Sequence, residues 1–127
     1  MHTKVERRGR TFKGIISLVI LRNLWNEPNY GYVLEKEVNR CLGQKLSNGE
    51  IYSILRNLEI RGLVHKKNGQ ENDGKRKYYE ISNDGRKYLV NQSRTLESAM
   101  DSIGEIIRFV HSLSDKEREE RVTNKSI

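Results

Sequence analysis

The chain has a single cysteine, Cys41, among 127 residues. One cysteine cannot close an internal disulfide and has no cysteine partner for a metal site. It is expected as a buried or semi-buried thiol in a reducing cytoplasm. No apolar run approaches the ~18 residues needed to span a bilayer; the longest, Ile15 to Leu21, is broken by Ser17. The N-terminus shows no apolar core followed by a small-residue cleavage site, so an unexported, cytoplasmic chain with no membrane partner is expected. His2, His65 and His111 are scattered, and there is no HxxxH, CxxC, glycine-rich phosphate loop or nucleophile elbow. Catalysis, a metal and a cofactor are therefore not expected. Glu35 with Glu37, and Glu119 with Glu120, read as solvated helix faces rather than acid–base pairs.

What the chain has is positive charge, unevenly spread. Its net charge is +7, with a pI of about 9.6. Residues 1–92 carry 18 Lys/Arg against 10 Asp/Glu, whereas 93–127 carry 6 against 7. The first part thus calls for a polyanionic partner and the last part for a different task. Apolar residues make up 35% of the chain, enough for one small core and against a disordered polymer.

Residues 47 to 81 form one continuous device. Ser47 can accept from the free amides of a first helical turn, Glu50 stands three residues on, and Gly62 supplies a left-handed stop, bracketing about four turns. Ile51, Ile54, Leu55 and Leu58 make one apolar stripe, leaving Asn48, Gly49, Tyr52, Ser53, Arg56 and Asn57 on the other side. Such an outward face suits a groove: small residues allow close approach, Asn can pair with an adenine edge, and Arg with guanine or phosphate. A merely solvated amphipathic helix would show the same periodicity.

After this helix come two β-prone runs, Leu63-Val64 and Tyr78 to Ile81, separated by a segment rich in glycine, asparagine and aspartate. Between His65 and Lys77 the cations Lys66, Lys67, Lys75, Arg76 and Lys77 gather at the loop stems, with Glu71 and Asp73 at the tip. Phosphate contact explains that clustering better than solubility does. Upstream, Thr11 to Trp25 is apolar on nearly all sides through Phe12, Ile15, Ile16, Leu18, Val19, Ile20, Leu21, Leu24 and Trp25, as befits a core helix. Asn26-Glu27-Pro28-Asn29 breaks it. A second helix opens near Tyr30-Gly31-Tyr32, carries Leu34, Val38 and either Cys41 or Leu42 inward, and ends at Gly43. Three helices followed by a hairpin with basic stems are the plan of a winged helix-turn-helix.

The segments GYVLEKEV, LSNGEIYSILRNLEIRGLV and KRKYYEISNDGRKYL, in that order and spacing, resemble the PadR family of winged-helix transcriptional regulators, over roughly residues 14 to 112. The specific parts are Gly31-Tyr32, Gly49 to Tyr52, Leu55, Leu58, Glu59, Gly62-Leu63-Val64, Tyr78-Tyr79, Ile81-Ser82 and Gly85. The resemblance implies a dimeric repressor, in some members released from DNA by a phenolic or other aromatic molecule. It also implies that Ser47, Asn48, Tyr52 and Arg56 face DNA from the third helix and Lys75 to Lys77 from the wing. The family often has proline and threonine where this chain has Asn48 and Glu50. A carboxylate facing phosphate is repelled, so Glu50 is expected to serve the cap or, alternatively, to accept from a cytosine amine.

Residues 83 to 113 carry a second signal. Leu89, Leu96, Ile103 and Val110 recur at intervals of seven, with Met100 and Ile107 beside them and Ala99, Ile106 and Leu113 in the neighbouring row. Dimerisation through this helix is expected, the alternative being that it folds back on its own core.

The chain is thus expected to be mainly α with a small β-hairpin (α+β): a basic arm at 1–10, a winged helix-turn-helix at 11–82, a dimerisation helix at 83–113 and a charged tail at 114–127, where Ser114-Asp115 could cap a short helix and Thr123 onward should fray. The expected DNA-binding residues are Ser47, Asn48, Tyr52, Ser53, Arg56, Lys66, Lys67, Lys75, Arg76 and Lys77; the dimerisation residues are Leu89, Leu96, Met100, Ile103, Ile107 and Val110. The function expected is a non-enzymatic, homodimeric repressor on a pseudo-palindromic operator in double-stranded DNA. The alternatives are a winged-helix module for protein or RNA, and a chromatin-like binder of low specificity. A ligand-independent repressor is favoured over one induced by an aromatic effector seated beside Trp25.

Overall fold

The computed structural model describes residues 4–68 and 77–125, with side chains over 13–67 and 77–120. The chain divides after Gln92 into two units.

In the first unit, α1 spans Lys4–Asn23. It begins earlier than the apolar run at Thr11 suggested, with residues 4–10 already helical. Nothing in Lys4 to Arg10 forbids this: the stretch has no proline, and its lysine, glutamate and arginines are good helix formers. Ile16, Ile20, Leu21 and Leu24 are fully buried, while Ile15 and Leu18 pack against the core from its margin. Phe12 lies outside the described side chains. Trp25 does not fill the core: it is 37% exposed, just past the helix end.

A two-residue strand, β1 (Asn29–Tyr30), precedes α2 (Gly31–Leu42). Leu34 and Val38 face the core, and at the last turn Leu42 packs inward. Cys41 is exposed, contrary to the buried or semi-buried thiol expected from the sequence. A rotation of about 100° per residue lets only one of the two neighbours reach the core. Gly43, with φ 63°, closes α2 as the backbone amides of Gly43 and Gln44 donate to Arg40 and Asn39. The turn into α3 (Asn48–Ile60) is held by the Asn39 side chain, whose Oδ1 accepts from the Leu46 amide at 2.8 Å. Leu46 itself is buried.

Helix α3 buries Ile51, Ile54, Leu55 and Leu58. At its end Gly62, φ 74°, turns the chain, its amide donating to the Glu59 carbonyl at 3.0 Å and that of Leu63 to the Leu58 carbonyl at 2.9 Å. The chain then enters β2 (Val64–Asn68), which pairs antiparallel with β3 (Lys77–Ile81) in the register Val64↔Ile81 to Asn68↔Lys77. Both strands reach further than the β-prone runs alone indicated, so Lys66, Lys67 and Lys77 belong to strands. The hairpin is also part of something larger: β1 adds to the other edge of β3, pairing Asn29 with Tyr79 and Tyr30 with Tyr78, and the sheet order is β1-β3-β2. Alternation along β3 sends Tyr79 and Ile81 into the core.

Ser82 joins this sheet to α4 (Asn83–Ser112). Its hydroxyl donates to the Gly62 carbonyl at 2.7 Å and accepts from the Gly85 amide at 3.0 Å, capping the new helix while fastening it to the α3–β2 corner. Gly85 makes the fit possible, because a Cβ there would collide with the Leu63 carbonyl and stand 2.7 Å from Ile81 Cγ1. Tyr88 and Leu89 pack against the core, and Arg61 lies 4.8 Å over the Tyr88 ring.

The second unit holds the rest of α4 and α5 (Asp115–Lys125). Ser114 caps α5, accepting from the Glu117 amide at 3.1 Å. The helix continues through Thr123 and Asn124, where fraying was expected. Along α4, Leu96, Met100, Ile103, Ile106, Ile107, Phe109 and Val110 are exposed.

Candidate nucleic-acid interface

The site is built on the outer face of α3. Ser47 stands at its N-cap with extended backbone, its Oγ accepting from the Glu50 amide at 3.2 Å. The Glu50 carboxylate reaches back to within 3.4 Å of the same hydroxyl. This is the capping pair the spacing predicts, and it accounts for a carboxylate at the front of a helix otherwise suited to a polyanion: the acid sits at the positive end of the helix dipole. Asn48, Gly49, Tyr52, Ser53, Arg56 and Asn57 are all exposed, opposite the four buried side chains.

Two of these residues are engaged by α2. Tyr52 is 43% exposed, and its ring lies against the first residue of α2 so closely that a Cβ on Gly31 would be 2.8 Å from Cε1 and from the hydroxyl oxygen. Gly31 and Tyr52 thus have one physical reason: the missing side chain of one makes room for the ring of the other. Part of the ring packs, and the rest remains available on the outer face. The Asn48 amide faces the Glu35 carboxylate, and with its nitrogen turned toward that acid it donates to both oxygens at 2.5 and 2.6 Å.

A stack of tyrosines braces α2 against the sheet. Tyr30 on β1 stacks on Tyr78 of β3 at 4.5 Å and on Tyr32 at 5.8 Å, with Lys36 Nζ 5.7 Å from the Tyr32 ring. Beneath, burial pushes the Tyr79 phenol above its ordinary pKa, with smaller contributions from Tyr52 and Glu59, so Tyr79 stays protonated in the core at neutral pH.

On the wing, Lys66, Lys67 and Lys77 are exposed. Lys67 pairs with Glu80 across the strands at 2.9 Å, which offsets its charge locally. An exposed pair of this kind is worth about 0–1 kcal/mol, so a stronger anion can compete for the lysine. Lys75 and Arg76 lie outside the described residues, as does the turn between them and Asn68.

Of the expected dimerisation residues, Leu89 belongs to the packing of the first unit, while Leu96, Met100, Ile103, Ile107 and Val110 line the exposed stripe of the second. Trp25 is covered by Arg86, whose Nη2 donates to the Trp25 carbonyl at 2.9 Å and whose guanidinium lies 5.4 Å over the ring. An aromatic molecule approaching that ring face would have to displace the arginine. The β1 strand, the Glu35–Asn48 contact and the Arg86–Trp25 cover were not foreseen from sequence. Each joins residues that no periodicity links.

A three-helix unit whose third helix presents a polar and cationic face, followed by a β-wing, defines a winged helix-turn-helix DNA-binding protein. The model of the PadR-like transcriptional regulator family matches residues 20–91, more than half of the chain, and the chain belongs to that family. Among similar solved structures, a protein assigned as a transcriptional regulator from Thermoplasma acidophilum is 32% identical with a TM-score of 0.71, covering 78% of this chain and 96% of its own. A PadR family transcriptional regulator from Eggerthella lenta is 26% identical with a TM-score of 0.65, over 76% and 85% of the two chains. An uncharacterized protein from Lysinibacillus sphaericus is 28% identical over 85 residues, which is 65% of this chain and 78% of that one. The protein is therefore a DNA-binding transcriptional regulator of winged-helix type, and no helix among the described residues is long and apolar enough to cross a membrane.

Proposed function

We propose that the protein is a homodimeric repressor, acting in the cytoplasm, that binds a pseudo-palindromic operator with α3 in the major groove and the wing from 65 to 77 on the flanking backbone. The observation that carries this reading is the division of α3: four apolar side chains buried beneath a face of Asn48, Tyr52, Ser53 and Arg56, with Lys66 and Lys77 exposed on the adjoining strands. In this arrangement Arg56 pairs with guanine and the wing lysines neutralise phosphates, the first supplying specificity and the second affinity. Lys75 and Arg76, from the sequence, add two cations to the same wing.

The exposed stripe on α4 supports self-association. Six of its side chains, Leu96, Met100, Ile103, Ile106, Ile107 and Val110, follow helical spacing, and a two-fold pairing of identical stripes would cover them without demanding a second kind of partner. Two-fold symmetry then predicts two half-sites related by a dyad. Repression follows from occupancy of such a site across a promoter, and no effector is required. Selection of bound duplexes from a randomised library, followed by footprinting, tests the reading: two inverted half-sites about one helical turn apart are expected. A single unpaired half-site would refute the dimeric operator.

A further inference from the structure

The two strands of the wing carry one acid among their cations. Strands β2 (Val64–Asn68) and β3 (Lys77–Ile81) hold Lys66, Lys67 and Lys77 with His65, against Glu80 alone. Alternation along β3 turns Tyr79 and Ile81 to the core, which leaves Glu80 on the outer face. There His65 stands directly across from it on β2, whereas Lys67 stands across from Tyr78, two residues nearer the tip. Lys67 nonetheless reaches Glu80, with Nζ 2.9 Å from Oε1. The ammonium is thus held toward the base of the wing, across a diagonal of two residues, roughly 7 Å along the strands. The partners differ in freedom. Glu80 sits on the central strand, between β1 and β2, and its side chain is 31% exposed; Lys67 is on the edge strand, 58% exposed, at the end of a flexible four-carbon stem. The acid is fixed and the cation can move.

We infer that Glu80 is a positioning residue that limits DNA affinity: it holds Lys67 back from the phosphate backbone, so the wing gains that cation only when the lysine leaves the carboxylate. The inference rests on the reading of the wing as a backbone contact. A lysine paired with its own acid brings no net charge to DNA, whereas a lysine set free neutralises one phosphate. An exposed pair of this kind is weak enough to open, at a cost of no more than about fivefold in affinity. Opening leaves the carboxylate unpaired beside a polyanion, which adds a repulsion that salt screens. Binding to bulk duplex rests almost wholly on charge. A wing that carries its own acid therefore lowers this background affinity while leaving the base contacts of α3 untouched.

The test is salt-titrated fluorescence anisotropy of the full chain on the selected operator and on random duplex, for wild type, Glu80→Gln, Lys67→Gln and the double variant Lys67→Gln/Glu80→Gln. Glutamine keeps the shape of the side chain and removes its charge, and a thermal melt followed by circular dichroism checks the fold. Glu80→Thr, which suits a strand, repeats the change should glutamine unsettle the sheet. Glu80→Gln should tighten binding by about two- to fivefold near physiological salt. It should also steepen the slope of log affinity against log salt by up to about 0.9, the value of one phosphate. The gain should be alike on operator and random duplex, because phosphate contacts carry no sequence information. Lys67→Gln should weaken binding, and on that background Glu80→Gln should gain less than about twofold, since only screened repulsion remains to be removed. An equal gain with and without Lys67 would show that Glu80 acts through its field alone, and the holding of Lys67 would be refuted. Weaker binding by Glu80→Gln would mean that the carboxylate aims Lys67 at the phosphate, the opposite of the inference. If Glu80→Gln changes nothing while Lys66→Gln and Lys77→Gln weaken binding and flatten the slope, the inference fails and the wing stays on the backbone. If none of these substitutions alters affinity or slope, the wing is off the backbone, and the reading beneath the inference fails with it.

Discussion

Replacing Leu96 and Ile103 by aspartate places a charge at two exposed positions of the α4 stripe, where the wild-type side chains are 43% and 48% exposed. Burying a leucine or isoleucine completely stabilises by about 1.5–3 kcal/mol. The half still exposed in the single chain is therefore worth about 0.7–1.5 kcal/mol per residue when a partner covers it. Two such residues on each of two protomers make about 3–6 kcal/mol of association energy, a factor of roughly 100 to 10,000 in the dimer dissociation constant. The aspartates should do more than remove this, because a two-fold interface would bring four carboxylates together in an apolar seam. Sedimentation velocity across a concentration series reads the result directly, and circular dichroism guards it: both positions are exposed in the single chain, so helical content should change little. The variant should be monomeric at concentrations where wild type is dimeric, and its DNA titration should lose cooperativity between half-sites. A variant that stays dimeric with an unchanged dissociation constant would refute the seam and assign the association to another surface.

Neutralising Lys75, Arg76 and Lys77 together should weaken binding to every duplex and reduce the slope of log affinity against log salt by up to about three units, at roughly 0.9 for each phosphate no longer neutralised; salt-titrated fluorescence anisotropy measures it, and an unchanged slope places the wing off the backbone. Arg56→Ala should cost about 1–3 kcal/mol on the selected site and much less on random DNA, whereas an equal loss on both would reassign Arg56 to phosphate. Gly85→Ala forces a methyl against the Leu63 carbonyl and Ile81, a misfit of side chain on backbone. Overpacking of this sort costs about 1–3 kcal/mol, read as a lower urea midpoint with an unchanged m-value, and a neutral result would show that the α4 start can shift to make room.

Much of this molecule was readable in one dimension because its signals are local. The cap at Ser47–Glu50, the stripe Ile51, Ile54, Leu55 and Leu58, and the positive-φ glycines at 43 and 62 each act within a turn of the residues that reveal them. The features that escaped are those in which distant segments meet. Strand β1 is two residues long and exists because β3 offers it an edge, so no propensity window could detect it. Cys41 and Leu42 are neighbours of similar apolar character, and only the docking angle of α2 decides which turns inward. Trp25, the largest apolar side chain, looked like core material, yet the chain bends after Asn23 and leaves it to Arg86. At the interface, the sequence supplied the residue types, while the contacts of Tyr52 with Gly31 and of Asn48 with Glu35 arise from how closely α2 and α3 approach.

The central claim is that α3 and the wing form a sequence-reading surface, which separates this protein from a winged module for RNA or protein and from a general coater of DNA. The most direct measurement is the affinity for the selected operator against that for unrelated duplex and for RNA of equal length, at one fixed salt near the physiological value. A sequence-reading regulator should bind its operator on the order of a thousandfold or more tighter than unrelated duplex. A ratio near one, or tighter binding to RNA than to any duplex, would contradict the account.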